Sequence, residues 1–76
     1  VHQNFFKKLS ENYPMLTNND KKLCALLRMS LSSKEIAELT NISVRSVELS
    51  RYRLRRKIGL EREDNLTEWI QNINIS

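Results

Sequence analysis

The chain contains very few of the residues that build several common kinds of functional site. Among its 76 residues there is one glycine, one proline, one cysteine and one histidine. One glycine cannot supply a phosphate-cradling loop or the glycine-rich turn of a Rossmann fold. One cysteine cannot form an internal disulfide or a CxxC metal pair, so we expect a reducing, cytoplasmic setting and no zinc module. A chain this short carries one hydrophobic core at most.

Long apolar segments and catalytic groupings are also missing. No apolar run approaches the roughly 20 residues needed to cross a bilayer, and no signal-peptide pattern opens the chain. The single histidine, His2, lies at the N-terminus, where chains are usually frayed. Without paired carboxylates or a Cys/His pair, we predict a protein that is not an enzyme and that needs no metal or other cofactor.

The charged residues are unevenly distributed along the chain. The net charge is +4, from thirteen Lys and Arg against nine Asp and Glu. Residues 43–60 hold six basic residues and one acidic residue, whereas residues 61–76 hold one basic and four acidic residues. Five of the six basic residues in the first segment are arginine, whose planar fork suits phosphates and base edges. This basic segment is either a polyanion-binding surface or a solvated helix face.

The spacing of apolar residues predicts an all-α fold, a small bundle of five helices. The predicted helices cover 4–11, 18–29, 33–40, 44–58 and a last segment that begins at Asp64 or Asn65. Capping residues indicate where four of these helices begin, namely Thr17 with Asp20, Ser32 with Glu35, Ser43, and Asn65 with Glu68. Gly59 indicates where helix 44–58 ends.

Apolar stripes on the last two long segments indicate which faces are buried. The stripe on helix 44–58 is Val44, Val47, Leu54 and Ile58, and the stripe on the last helix is Leu66, Trp69, Ile70 and Ile73. Part of the last stripe is needed for the core, and we expect Trp69, Ile70 and Ile73 to form a dimer patch. Cys24, within an apolar helix, is expected to be a small buried hydrophobic residue.

The short connection between the third and fourth predicted helices indicates a helix-turn-helix unit. Residues 40–43 leave a turn of only three or four residues between a short helix and a longer one. We expect Ile42 in this turn to be buried between the two helices. The second helix of such a unit enters the DNA major groove, and here that helix is the arginine-rich one.

Residues 16–70 resemble the LuxR-type (GerE-like) DNA-binding domain found at the C-terminus of many bacterial transcription regulators. The matching residues are Leu16-Thr17, the run from Ser32 to Ala37, Ile42-Ser43 followed by Ser46 to Glu48, and the run from Lys57 to Leu60. The resemblance implies a four-helix domain over residues 16–76, with the third of its helices in the major groove and the fourth mediating homodimerisation. Residues 1–15 would then be an additional helix and linker after an upstream sensor domain, and RNA polymerase would be a further partner.

Three positions depart from that family's pattern. Ser30 stands where the family usually has glycine, which costs on the order of 1 kcal/mol if the backbone is left-handed there. Ser50 stands where histidine is frequent. Arg51 falls near the inward stripe, where an apolar residue is common, and we expect its guanidinium to pair with Glu35 or Glu38.

A helical projection from Val47 divides the predicted DNA contacts into two sets. Base contacts are expected from Arg45, Glu48, Leu49 and Tyr52. Phosphate contacts are expected from Lys34, Ser43, Ser46, Arg53, Arg56 and Lys57. Arg55, on the side of the helix, is expected to be a solvated charge.

The resulting prediction is a sequence-specific double-stranded DNA-binding domain, the output module of a bacterial transcription regulator. One alternative is a promoter-reading helix-turn-helix region of a sigma factor, which shares the geometry. The other is a small adaptor whose basic helix binds an acidic protein. Salt dependence of duplex binding separates the adaptor from the DNA-binding domains, because each neutralised phosphate contributes about −0.9 to the slope of log K against log salt.

Overall fold

The computed structural model describes residues 2–73, with side chains from residue 4 onward, and over these residues the fold is all-α, as predicted. The side chain of His2 lies outside this range, and so do residues 74–76, the last three of the domain predicted over residues 16–76. No helix within it is long and apolar enough to cross a membrane. The five helices are α1 (His2–Asn12), α2 (Asn18–Arg28), α3 (Ser33–Thr40), α4 (Val44–Ile58) and α5 (Leu66–Gln71).

Side-chain caps fix the starts of α2 to α5, and the predicted capping residues are confirmed. The side chains of Thr17 and Ser32 each accept a hydrogen bond from the backbone N–H three residues later. The backbone N–H groups of Thr17 and Ser32 in turn donate to the carboxylates of Asp20 and Glu35. Hydrogen bonds from Ser32 also hold the pKa of the Glu35 carboxyl below its usual value. Ser43 and Asn65 cap α4 and α5, so Asn65 rather than Asp64 begins the last helix.

All five helices contribute to one hydrophobic core. Phe5 and Leu9 of α1 are fully buried beside residues of α2 and α5, so α1 is an integral part of the bundle. Cys24 is completely buried, as predicted, and burial raises the pKa of its thiol to about 12. The core side chains are Phe5, Leu9, Leu16, Leu23, Cys24, Leu27, Ile36, Ala37, Val47, Leu54, Leu66 and Ile70.

Three residues with left-handed backbones turn the chain between helices. Ser30 follows α2 with a φ of 63°, so the strain expected for a non-glycine residue there is present. The Gln71 amide donates to Ser30 Oγ at 2.7 Å, which ties this turn to α5. Asn41, with a φ of 57°, turns the chain between α3 and α4, and Gly59 ends α4 with a φ of 76°.

Two apolar residues at the α3–α4 corner are more exposed than predicted. Ile42 is 48% exposed and Val44 is 43% exposed, so the expected burial of both is wrong. The projection assumed that a neighbouring helix covers the whole of α4. Both residues lie at the corner itself, where the chain has left α3 and α4 has just begun, and Val47, one turn later, is the first buried position of α4.

Candidate nucleic-acid interface

A stripe of four side chains runs along the outward face of α4. Arg45, Leu49, Tyr52 and Arg56 follow one another at intervals of four, three and four residues, and a rise of 1.5 Å per residue spreads them over about 16 Å. All four are exposed, and the apolar Leu49 and Tyr52 are about half exposed. Glu48 and Arg53 flank the stripe and are exposed too. The predicted base-contacting residues therefore share one accessible face.

Tyr52 and Arg56 contact each other within this stripe. Arg56 Nη1 donates to the Tyr52 hydroxyl at 3.4 Å, and the guanidinium carbon lies 5.9 Å from the centre of the Tyr52 ring. A weak hydrogen bond and a cation–π contact at an exposed site restrict the arginine without neutralising it. Arg56 is thus held along the helix with its charge available.

The predicted phosphate contacts at helix starts lie in two places. Ser43 Oγ accepts from the Ser46 N–H at 3.1 Å and donates to Ser46 Oγ at 2.9 Å, so both hydroxyls lie at the N-terminus of α4. Lys34 is exposed at the second position of α3. Its neighbour Ser33 contacts Arg51, which brings the start of α3 beside the middle of α4.

Lys57, a predicted phosphate contact, forms an ion pair with a carboxylate on α2. Its ammonium group donates to Asp20 of α2 at 2.5 Å, the one ion pair within the described residues. Partial burial opposes ionisation of Asp20, but hydrogen bonds from Lys57 and Thr17 outweigh it and keep the pKa of this carboxyl below its ordinary value. The charge of Lys57 is thus matched in the free protein by a carboxylate 37 residues away in sequence, and its contact with phosphate stays a prediction.

Arg55, predicted to be solvated, holds the loop between α4 and α5. Its guanidinium donates to the carbonyl oxygens of Glu61 and Asp64, both at 2.6 Å, and to that of Arg62 at 3.3 Å. Asp64 adds a side-chain hydrogen bond from the Glu61 N–H at 2.9 Å. The prediction is wrong because the loop folds back over the end of α4 and presents its carbonyls to the arginine fork.

Arg51 also differs from its predicted pairing. Its Nη1 lies 3.4 Å from Ser33 Oγ, and no ion pair with Glu35 or Glu38 forms within the part of the chain that the structure describes. The side chain is half-buried against the start of α3, as expected for a stem that lies along the interface. Both acids are exposed, and Glu35 instead accepts a hydrogen bond from the Ser32 N–H at 2.9 Å.

The expected dimer patch on α5 is largely used by the fold itself. Ile70 is fully buried, which corrects its assignment to a surface patch, because it is a core residue. Trp69 is half-buried, with its ring 5.2 Å from that of Tyr13 in an edge-to-face arrangement. Ile73 lies beyond the end of α5 and is also half-buried.

A groove between α2, α3 and α4 was not predicted. It has a volume of about 470 Å³ and is open to solvent. Its lining combines buried apolar side chains with a few polar ones, namely Asn19, Lys22, Leu23, Leu26, Ile36, Thr40, Ile42, Val47 and Ser50. Among the described residues, no grouping of three or more His, Cys, Asp or Glu side chains suits a metal ion.

Comparisons of the chain with protein-family models, with curated proteins and with solved structures gave no match. The function is therefore argued from the geometry and charge of α4 and of the helices that hold it.

Proposed function

We propose that the chain binds double-stranded DNA sequence-specifically, as the C-terminal output module of a bacterial transcription regulator. The observation that carries the proposal is the outward stripe of α4. It combines accessible arginines with accessible apolar side chains on the longest helix, whereas other basic residues of the same helix are engaged with the scaffold. The resemblance of residues 16–70 to LuxR-type domains supports the same conclusion.

In this proposal α3 and α4 form the helix-turn-helix unit and α4 enters the major groove. Only residues 41–43 separate the two helices, and the left-handed Asn41 produces the sharp change of direction. A helix of about 10–12 Å diameter fits the B-DNA major groove, which is about 12 Å wide. The fifteen residues of α4 give the stripe enough length to span several base pairs.

The base contacts come from the N-terminal and middle part of α4. Arg45 is suited to bind guanine with two hydrogen bonds, and Glu48 to accept a hydrogen bond from a cytosine amino group. Leu49, half-exposed among charged neighbours, is suited to contact a thymine methyl group. Tyr52 follows one turn later and adds an apolar ring with a hydroxyl at its edge.

The phosphate contacts surround this stripe. Arg53 and Arg56 supply charge near the C-terminal half of α4, while Ser43 and Ser46 lie at its N-terminus, where backbone N–H groups favour anions. Lys34 supplies a further cation from the start of α3. Lys57 is left out of this set because Asp20 holds it.

A two-fold homodimer would place two copies of α4 about 34–36 Å apart, one turn of DNA. Trp69 and Ile73, which remain partly exposed, are the residues of the expected patch that such a contact can use. Selection of bound sequences from a random duplex pool measures both the half-site spacing and the bases that α4 prefers.

The direct test is binding of labelled duplex DNA, followed by fluorescence anisotropy at increasing salt. The three cations among these phosphate contacts, Lys34, Arg53 and Arg56, predict a slope of about −2.7 in log K against log salt for each copy of the chain. A combined Arg53→Ala and Arg56→Ala variant should lower the magnitude of that slope by about 2. Arg62→Ala, which removes an exposed arginine outside α4, is the matched control. Absence of duplex binding at low salt would overturn the proposal.

A further inference from the structure

The groove between α2, α3 and α4 has an apolar floor and an open side. Leu23, Ile36 and Val47 form buried parts of the floor, and Leu26 is half-buried beside them. Ile42 stands at the edge with 48% of its surface exposed. A volume of about 470 Å³ falls within the range of sites that hold a ligand. An apolar floor open to water favours an apolar side chain that would cover it.

The small side chain of Ser50 keeps this groove open. It lies on the α4 wall, three residues after the buried Val47, and is itself exposed. A larger residue at this position would extend across the apolar floor toward Leu26. The groove is therefore a property of this chain's own residues at the α2–α4 boundary.

The surroundings of the groove are cationic. Lys22 is an exposed lining residue, and the lining contains no acidic side chain. The nearby Asp20 is neutralised by its ion pair with Lys57. Arg53, three residues after Ser50, adds a second exposed cation on the same side of α4. An occupant with carboxylates beside its apolar residues would complement this arrangement.

We propose that this groove docks an acidic amphipathic segment of another protein, which inserts one or two bulky apolar side chains and places carboxylates against Lys22 and Arg53. Amphipathic helices bind grooves of this kind through residues spaced by three or four positions. The groove lies on the flank of α4 that faces α2, and the DNA-contacting stripe lies on the outward face. The groove does not include that stripe, but Arg53 belongs to both surfaces, because it is also a proposed phosphate contact. The docking proposal does not need the proposed DNA binding to hold, and DNA would compete with the acidic segment for Arg53.

The test uses two synthetic peptides of about twelve residues, long enough for three helical turns. Both contain one leucine and one phenylalanine four positions apart, so that the two side chains lie on one face of a helix. The opposite face carries glutamates in the first peptide and lysines in the second, and all other positions are alanine. Each is titrated into protein with labelled methyl groups. We expect the acidic peptide to shift the methyl signals of Leu23, Leu26 and Val47, and the basic peptide to bind at least about fivefold more weakly.

Two substitutions separate charge from shape. Lys22→Glu should weaken the acidic peptide and strengthen the basic one, each by about fivefold, because it reverses one exposed charge at the rim. Lys7→Glu, on the exposed surface of α1, should leave both affinities unchanged. Ser50→Leu should fill the groove and reduce binding of both peptides at least about tenfold, while helix content by circular dichroism stays at the parent level.

Several results would overturn the docking proposal. Equal binding of the two peptides would show that charge plays no part, and unchanged binding by Ser50→Leu would show that the groove is not used. Shifts confined to the outward stripe would place the acidic peptide on the DNA-binding surface instead. Methyl shifts that follow protein concentration without any peptide would identify a second copy of this chain as the occupant. Duplex-DNA affinity, measured separately, reports on the proposed function alone.

Discussion

The basic residues of α4 form two groups that differ in what they contact. The outward group comprises Arg45, Arg53 and Arg56, and the scaffold group comprises Arg51, Arg55 and Lys57. The scaffold group binds backbone carbonyls, a serine hydroxyl and a carboxylate on neighbouring elements. The outward group is exposed, and within it Arg56 contacts Tyr52 on the same helix. Three cations of α4 thus hold neighbouring parts of the fold, and three others present their charge to solvent.

This difference has an energetic consequence for the free protein. Exposed cations without an acidic partner contribute little to stability, and like charges one helical turn apart repel by a few tenths of a kcal/mol. Arg53 and Arg56 are such a pair. A polyanion would relieve their repulsion, whereas the scaffold group already has its partners. Binding and stability should therefore respond to different residues of the same helix.

Arg45→Ala should give the largest effect and should act on binding alone. Loss of a bidentate contact to guanine costs about 1–3 kcal/mol, equivalent to a loss of about fivefold to 150-fold in affinity for the selected DNA sequence. Thermal unfolding should be unchanged, because Arg45 is exposed and outside the core. Anisotropy titrations with the selected duplex and with a duplex changed at the guanine measure this. If both duplexes lose affinity equally, Arg45 is a phosphate contact instead.

Arg55→Met should show the opposite pattern. Removing the guanidinium leaves the carbonyls of Glu61, Arg62 and Asp64 without their donor, and we expect a loss of about 1–2 kcal/mol in the free energy of unfolding in urea. Arg56→Met, the adjacent matched control, should stay within about 0.5 kcal/mol of the parent in stability but lose DNA affinity. The comparison of the two groups fails if Arg55→Met unfolds like the parent.

Local features of the fold were predictable from sequence because their chemistry is local. The caps at Thr17, Ser32, Ser43 and Asn65 each involve residues three apart, and Gly59 ends α4 as glycine does at many helix ends. The exposure of the outward stripe followed from helical periodicity alone. Each of these requires only the chain geometry within one or two helical turns.

The partners of the scaffold cations could not be predicted from sequence, because these contacts join parts of the chain that are far apart in sequence. Lys57 meets Asp20 across 37 residues, and Arg51 meets Ser33 across 18, so both contacts depend on how helices cross. Arg55 depends on the path of an irregular loop. The projection likewise assigned Val44 to the interior, since a helical wheel gives direction but not the length over which a neighbouring helix covers that direction.

The Lys57 and Asp20 pair provides the smallest and most specific test. The pKa of Asp20 is lowered in the folded state, so its stabilising contribution is complete above the ordinary carboxyl value of 3.8 and is lost as the pH falls through the folded value. Asp20→Asn should therefore lower the unfolding free energy by about 1 kcal/mol near pH 7, with the gap to the parent narrowing as the pH falls below 3.8.

The control and the binding readout complete this test. Glu38→Gln, which changes an exposed carboxylate on α3, should stay within about 0.5 kcal/mol of the parent in unfolding free energy near pH 7. Lys57→Met should destabilise the protein like Asp20→Asn but leave the salt slope of DNA binding within about 0.3 of the parent value, whereas Arg56→Met should reduce its magnitude by about 0.9. A reduction of about 0.9 with Lys57→Met would mean that DNA displaces Asp20, and Lys57 would then belong with the outward group.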